Sequence, residues 1–374
     1  MERIVIVGSG IVGLAHATAA LEKGYSVTVF ERNSRPLGAT VRNFGAIWPI
    51  GQPLGPKRDR ALASVKKWKE MSQRAGFSCR HHGSLHVVYN DDAWRVLLEF
   101  SALEDNQPST HSILTPEDIH KMAPHIRQTN LHGGLYSETE MAVIPQQAIQ
   151  QIIKWLQKEG VTFHFETPVT QVRDGEIVTS NGDKTTFDRL LICSGDEVRL
   201  LYPNQLQHAS VIRCKLQMLE TAPQEPGWHL LPIVASELTL CRYESFKSCT
   251  SLPQLQKRLS KKWPSQERHG IHVLAVQKPT GELVIGDSHE YGADFSPRHS
   301  ETINQLILDY LSTFLNVNNP TIQDRWNGFY LKTTTDQTET IIEPADHVQL
   351  VTGLGGAGMT LSFGLAQDII AGWN

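Results

Sequence analysis

The stretch Ile4-Val5-Ile6-Val7-Gly8-Ser9-Gly10-Ile11-Val12-Gly13, continued by an apolar run to Leu21 and then by Val27-Thr28-Val29-Phe30-Glu31, decides the fold. It reads as a strand, a GxGxxG turn, a helix and a second strand that ends in an acid. Gly8 permits the tight turn, Gly10 lets the backbone approach a pyrophosphate, and Gly13 lets the helix pack on the strand. The helix N-terminus aims free N–H groups at the phosphates. Glu31, 18 residues beyond Gly13, is placed to accept from both hydroxyls of an adenosine ribose, which disfavours a 2'-phosphate and hence NADP. A secretory signal would also be apolar here. It would need a basic start and a small-residue cleavage site, whereas this run is broken by three glycines and leads into a patterned strand. The expectation is an unprocessed, cytoplasmic chain.

Composition agrees with a large globular protein. The 374 residues are 40% hydrophobic and 20% charged with a net charge of -4, enough to bury a substantial core, and two domains are expected. No basic face points to nucleic acid, and no further apolar run is long enough to span a membrane. Cys79, Cys193, Cys214, Cys241 and Cys249 are odd in number and lack a CxxC pair, so they read as reduced thiols. Sixteen histidines, including His81-His82, show no ligand spacing with Cys or carboxylates, and no metal is expected.

Along the chain, Asn43 to Lys57 reads as a loop and Arg58 to Arg74 as a helix with Leu62, Val65, Trp68 and Met71 on one face. Cys79 to Tyr89 looks strand-like. Thr115-Pro116-Glu117-Asp118 opens a short helix with Thr115 as cap, and Pro145 to Glu159 is amphipathic. Val161 to Phe165, Val169 to Val172 and Leu190 to Ile192 follow as strands, the last running into Gly195. Segments from Ser210 to Leu219, Leu238 to Tyr243, Ile271 to Gln277 and Leu283 to Ile285 read as a separate, largely antiparallel sheet. Val348 to Thr352 then enters Gly353-Leu354-Gly355-Gly356-Ala357-Gly358-Met359-Thr360 and a closing helix. Two glycine-rich strand-to-helix junctions at opposite ends of one chain favour FAD over NAD, because the longer cofactor is commonly held at both.

With these residues in place, the chain resembles the FAD-dependent amine oxidases that include D-amino acid oxidase, glycine oxidase and monomeric sarcosine oxidase. The resemblance rests on the N-terminal fingerprint, Gly38 to Gly45, Ala142-Val143-Ile144-Pro145, Ile192-Cys193-Ser194-Gly195, Gly286-Asp287-Ser288-His289-Glu290 and Thr352 to Thr360. It implies an α/β fold in which a Rossmann-like FAD-binding domain (1–80, 144–208, 326–374) is interleaved with an antiparallel-sheet substrate domain (81–143, 209–325). It places FAD contacts at Gly8, Gly10, Ile11, Val12, Gly13, Glu31, Arg32, Thr40, Arg42, Asn43, Val169, Gly195, Gly355, Gly356, Gly358, Met359 and Thr360. The strings Arg42 to Pro53, Cys214 to Met218 and Gly286 to Tyr291 also resemble a narrower bacterial group associated with aminophosphonate breakdown. That likeness implies oxidation of N-methylated 2-aminoethylphosphonate to phosphonoacetaldehyde.

The implied chemistry is hydride transfer from the carbon beside a neutral amine to the flavin, so no catalytic triad is required. Tyr330 stands where glycine and D-amino acid oxidases carry the carboxylate-binding arginine. Trp48 and Thr360 stand where sarcosine oxidase has basic residues. A phosphonate instead needs charge-assisted donors. The candidates are Arg242 and Tyr243 on an expected strand, Tyr330 and Lys332 near the flavin edge, and His289, with Trp48 and Gln52 walling the site. Val284 occupies the place of the oxygen-activating lysine of sarcosine oxidase, which leaves O2 or another acceptor open. The last cysteine is Cys249, so FAD is expected to be non-covalent. Rival readings are an N-methyl or D-amino acid oxidase or dehydrogenase, and a flavin-binding subunit of a larger complex.

Overall fold

The computed structural model describes residues 1–104 and 110–373. Its first sheet is built on the strand that opens the chain. The order across it is Thr340–Ala345, Val348–Thr352, Arg189–Ile192, Arg3–Val7, Ser26–Phe30 and Thr162–His164, parallel except for the first. Ile4, Val5 and Ile6 are buried on both faces, as a central parallel strand requires. One face is covered by the helices Ile11–Glu22, Pro56–Ala75, Pro145–Lys158 and Gly358–Ala371, which share a core with Trp68, Met71, Ile152 and Phe363. The other face packs Val5, Val7 and Ile192 against a small sheet formed by Val169–Arg173, Glu176–Thr179 and Lys184–Thr186.

The helix Ile11–Glu22 is apolar almost all round because it is enclosed, and it buries His16. Burial pushes the imidazole of His16 down to about 4, so it is neutral, with Nδ1 2.7 Å from the Val12 carbonyl. This histidine is a core residue.

The second sheet has nine strands. Its path is Glu290–Tyr291, Val211–Thr221, Leu283–Gly286, Leu274–Gln277, Ile233–Ala235, Ser84–Val88, Gly133–Ser137 and His111–Leu114, with Ile322–Thr333 on the far side of Val211–Thr221. Pairing is antiparallel except between Ile233–Ala235 and Ser84–Val88. The strand Ile322–Thr333 stays in this sheet for its whole length, so the boundary expected between 325 and 326 falls inside it. Its end nevertheless reaches the first body, where Thr333 N–H donates to the Gly353 carbonyl.

Two local expectations are corrected. Leu238 to Tyr243 is not a strand: Glu237–Arg242 is a short helix. The Glu237 carboxylate accepts from Tyr89 N–H, Asn90 Nδ2 and Arg258 Nη2, and these long-range bonds fix a turn that a six-residue apolar run does not disclose. Asn43 to Lys57 is also more ordered than a plain loop. It holds the strand Ala46–Ile47 and a 3₁₀ turn at Pro49–Gly51, and the following helix begins at Pro56, two residues before Arg58. The helix opened by Thr115 forms as expected, with Thr115 and Asp118 satisfying one another's N–H groups in a capping box.

Candidate active site

A cavity of about 500 Å³ runs between the two glycine-rich junctions and under the second sheet. Its nucleotide end is built by the opening strand, turn and helix. Gly8 has φ +102°, and a Cβ there would lie 2.6 Å from the Cys193 carbonyl. At Gly13 a Cβ would lie 2.0 Å from the Gly8 carbonyl. Glu31 is buried and held in place by Ser9 N–H and Oγ on one oxygen and by Asn33 N–H and Nδ2 on the other. Thr40 Oγ1 accepts from Ile11 N–H at 3.0 Å, tying the flavin loop to the first turn of the helix. Asn43 folds that loop on itself through the carbonyls of Ala39 and Thr40, and its own carbonyl receives Gly45 N–H.

Every residue expected to contact FAD lines this cavity except Gly13, which lies beneath it and sets the helix-to-strand distance. Residues at the C-terminal junction converge on the same space: Gly355, Gly356, Gly358, Met359 and Thr360. At Gly195 and Gly358 an added Cβ would meet nothing within 4 Å, so these positions leave open cradle rather than tight packing. A long groove with bare backbone at both ends and an acid at the ribose position fits FAD.

Beyond the C-terminal junction the cavity becomes a side-chain pocket, and all seven expected substrate residues meet there. Trp48 is buried, donates its backbone N–H to Thr360 Oγ1 at 2.9 Å, and packs its ring 5.9 Å from that of Tyr243. Gln52 lies at the following turn. Tyr243 in turn packs on His272 at 5.6 Å, and His272 stacks on His289 at 5.2 Å. Tyr330 is buried on the strand Ile322–Thr333, and Lys332 follows it on the same face.

Arg242 ends the short helix and is half-buried. Its Nη2 donates to Tyr291 Oη at 2.7 Å, and among the described residues no carboxylate lies within 4.0 Å of the guanidinium. Lys247 and Lys332 line the same pocket. Burial, aided by the charge of Arg242, holds the Lys332 ammonium below the usual lysine range.

Residue-by-residue sequence reading missed His272 and Asp287. Asp287 is buried beside both histidines: its Oδ1 lies 3.3 Å from His272 Nε2 and 3.7 Å from His289 Nδ1, and it accepts no well-directed hydrogen bond. Burial raises this carboxyl to about 7, and it depresses both imidazoles, which are neutral. His289 commits Nδ1 to the Gly270 carbonyl at 2.9 Å. With Arg242 alongside, the trio is better suited to holding a proton than a cation. Asp287 sits in the string Gly286 to Tyr291, so the sequence offered a signal for it. His272 is 15 positions away and offered none.

The family described as DAO, FAD dependent oxidoreductase, matches residues 3–372. The L-proline dehydrogenase of P. horikoshii superposes with a TM-score of 0.78 at 19% identity, covering 99% of this chain and 92% of that one. Glycine oxidase from Geobacillus kaustophilus gives 0.77 at 17% identity, covering 99% and 94%. D-amino acid dehydrogenase 3 of Mesorhizobium japonicum is 22% identical over 257 residues, which are 53% of this chain and 62% of that relative's length.

Proposed function

Because the chain belongs to the DAO family of FAD-dependent oxidoreductases, we propose that its pocket oxidises a small amine carrying an acidic group, specifically an N-alkylated aminoalkylphosphonate. Bound FAD supplies the two-electron acceptor for the C–N oxidation, giving an aldehyde and an amine after hydrolysis. The protein binds and orients the substrate. Trp48 and Tyr243 wall the pocket and exclude water, while the acid end faces the cations.

The observation that carries this reading is Arg242, a guanidinium that lines the cavity with no carboxylate within 4.0 Å among the described residues. Lys332 and Lys247 add to it, and a lysine already depressed beside an arginine is relieved by a doubly charged anion more than by a singly charged one. A carboxylate-bearing amine is the second reading. It is favoured by what the names of the similar proteins say of their own substrates, glycine, proline and D-amino acids.

Anaerobic mixing of the flavoprotein with N-methyl-2-aminoethylphosphonate, 2-aminoethylphosphonate, sarcosine and D-alanine tests the choice by bleaching of the flavin. Selective bleaching by the phosphonates is expected, and bleaching by sarcosine or D-alanine alone would refute the phosphonate reading. Arg242→Ala should raise the Michaelis constant for the bleaching amine about a hundredfold, as loss of one charge-assisted anchor of about 3 kcal/mol implies. Flavin content should be unchanged.

A further inference from the structure

We propose that Asp287, with His272 behind it, takes the proton from the substrate's ammonium group and so delivers the neutral amine that can be oxidised; this rests on the amine reading above. A zwitterionic substrate arrives with its nitrogen protonated, and a protonated nitrogen has no lone pair to support loss of hydride from the adjacent carbon. An acceptor in the pocket lets the protonated form, which predominates at neutral pH, be used directly.

Asp287 is placed for it. The side chain lines the cavity, is itself buried, and has Oδ1 sealed from solvent without a donor. Backbone bonds in both directions between His272 and Asp287 lock the two residues together, and His272 Nε2 lies 3.3 Å from Oδ1. Among the described residues the opposite imidazole nitrogen, Nδ1, has no hydrogen-bond partner either. The carboxylate thus sits against a neutral imidazole with room to share one proton.

The step balances without an oxidant. The N–H bond of the ammonium breaks, its electron pair stays on nitrogen, and an O–H bond forms on the Asp287 carboxylate. His272 Nε2 shares that proton. The titratable groups around Asp287, among the described residues, are His272, His289, Arg242, Tyr243, Cys214, Tyr291 and Tyr330, with Lys332 linked to them electrostatically through Arg242 and His289. The cations Arg242 and Lys332 also favour the neutral amine. A carboxyl raised to about 7 is matched to a proton acceptor working at neutral pH.

The test is the pH profile of flavin reduction in the anaerobic holoenzyme, using whichever amine of the panel bleaches the wild type. If none does, the amine reading falls and this proposal with it. In the wild type the rate should rise through about pH 7. Asp287→Asn should slow reduction at pH 7 about a hundredfold or more and recover at alkaline pH, where the amine enters already neutral. An infrared band of protonated carboxyl that titrates near neutral pH should be present in the wild type and missing from the variant. A variant as fast as wild type at pH 7, or slow at every pH, would overturn the proposal. If Asp287→Asn does not fold, His272→Gln decides: a slower, alkaline-recovering profile supports the dyad, and an unchanged profile overturns it.

Discussion

Gly10 and Gly13 stand three residues apart and bear different loads. At Gly13 a Cβ would be 2.0 Å from a backbone carbonyl, which no rotamer can relieve, whereas at Gly10 the nearest atom would be the Thr40 hydroxyl at 3.1 Å. Gly13→Ala is therefore expected to lower the melting temperature sharply or abolish soluble protein. Gly10→Ala should fold with a near-normal melting temperature and lose affinity for FAD, because the methyl occupies the approach to the pyrophosphate. Equal melting losses in the two variants would contradict this separation. These roles were legible in the sequence because spacing alone defines them. The pairing of His272 with Asp287 was not, since it depends on two chain segments being brought side by side by the antiparallel register of Leu274 with Gly286.

At the level of elements, the parallel strands and their helices were readable because the hydrophobic runs are long and bounded by glycine. The helix Glu237–Arg242 was not, because its six residues are set by partners far away in sequence. Arg258 donates to both Asp92 and Glu237, whose side chains are only 7% exposed each, and Glu237 also receives two donors from Tyr89 and Asn90. Removing Glu237 leaves Arg258 its Asp92 partner but takes the acceptor from Tyr89 N–H and Asn90 Nδ2. Glu237→Ala should cost about 2 to 3 kcal/mol of stability, measured by urea unfolding, because these donors lose their partner. Because the same helix carries Arg242 at its end, the Michaelis constant of the variant should rise as well. A stability loss without any change in that constant would show that Arg242 is held by Tyr291 alone.

The whole molecule joins the two sheets through the strand Ile322–Thr333, which pairs along Val211–Thr221 and then ties to the C-terminal junction at Gly353. The cavity lies beside this junction, and the cysteines are poorly placed to bond the flavin. Of the five, only Cys193 lines the cavity; it is buried at the nucleotide end, where burial pushes its thiol up. Acid precipitation should accordingly release all the yellow colour into the supernatant, and colour retained in the pellet would contradict non-covalent FAD.

The same sheet order has a bearing on biosynthesis. Arg3–Val7 leaves the ribosome before both its neighbours and finds Ser26–Phe30 soon after, but its other neighbour, Arg189–Ile192, is encoded far downstream. At about 5–20 residues per second, roughly 185 residues of translation leave that edge bare for about 10 to 40 s. Through that interval the edge of Arg3–Val7 presents a row of unpaired backbone N–H and C=O groups, a template for pairing with another chain. The segment that specifies the fold is thus also one that waits on a distant partner for its second edge.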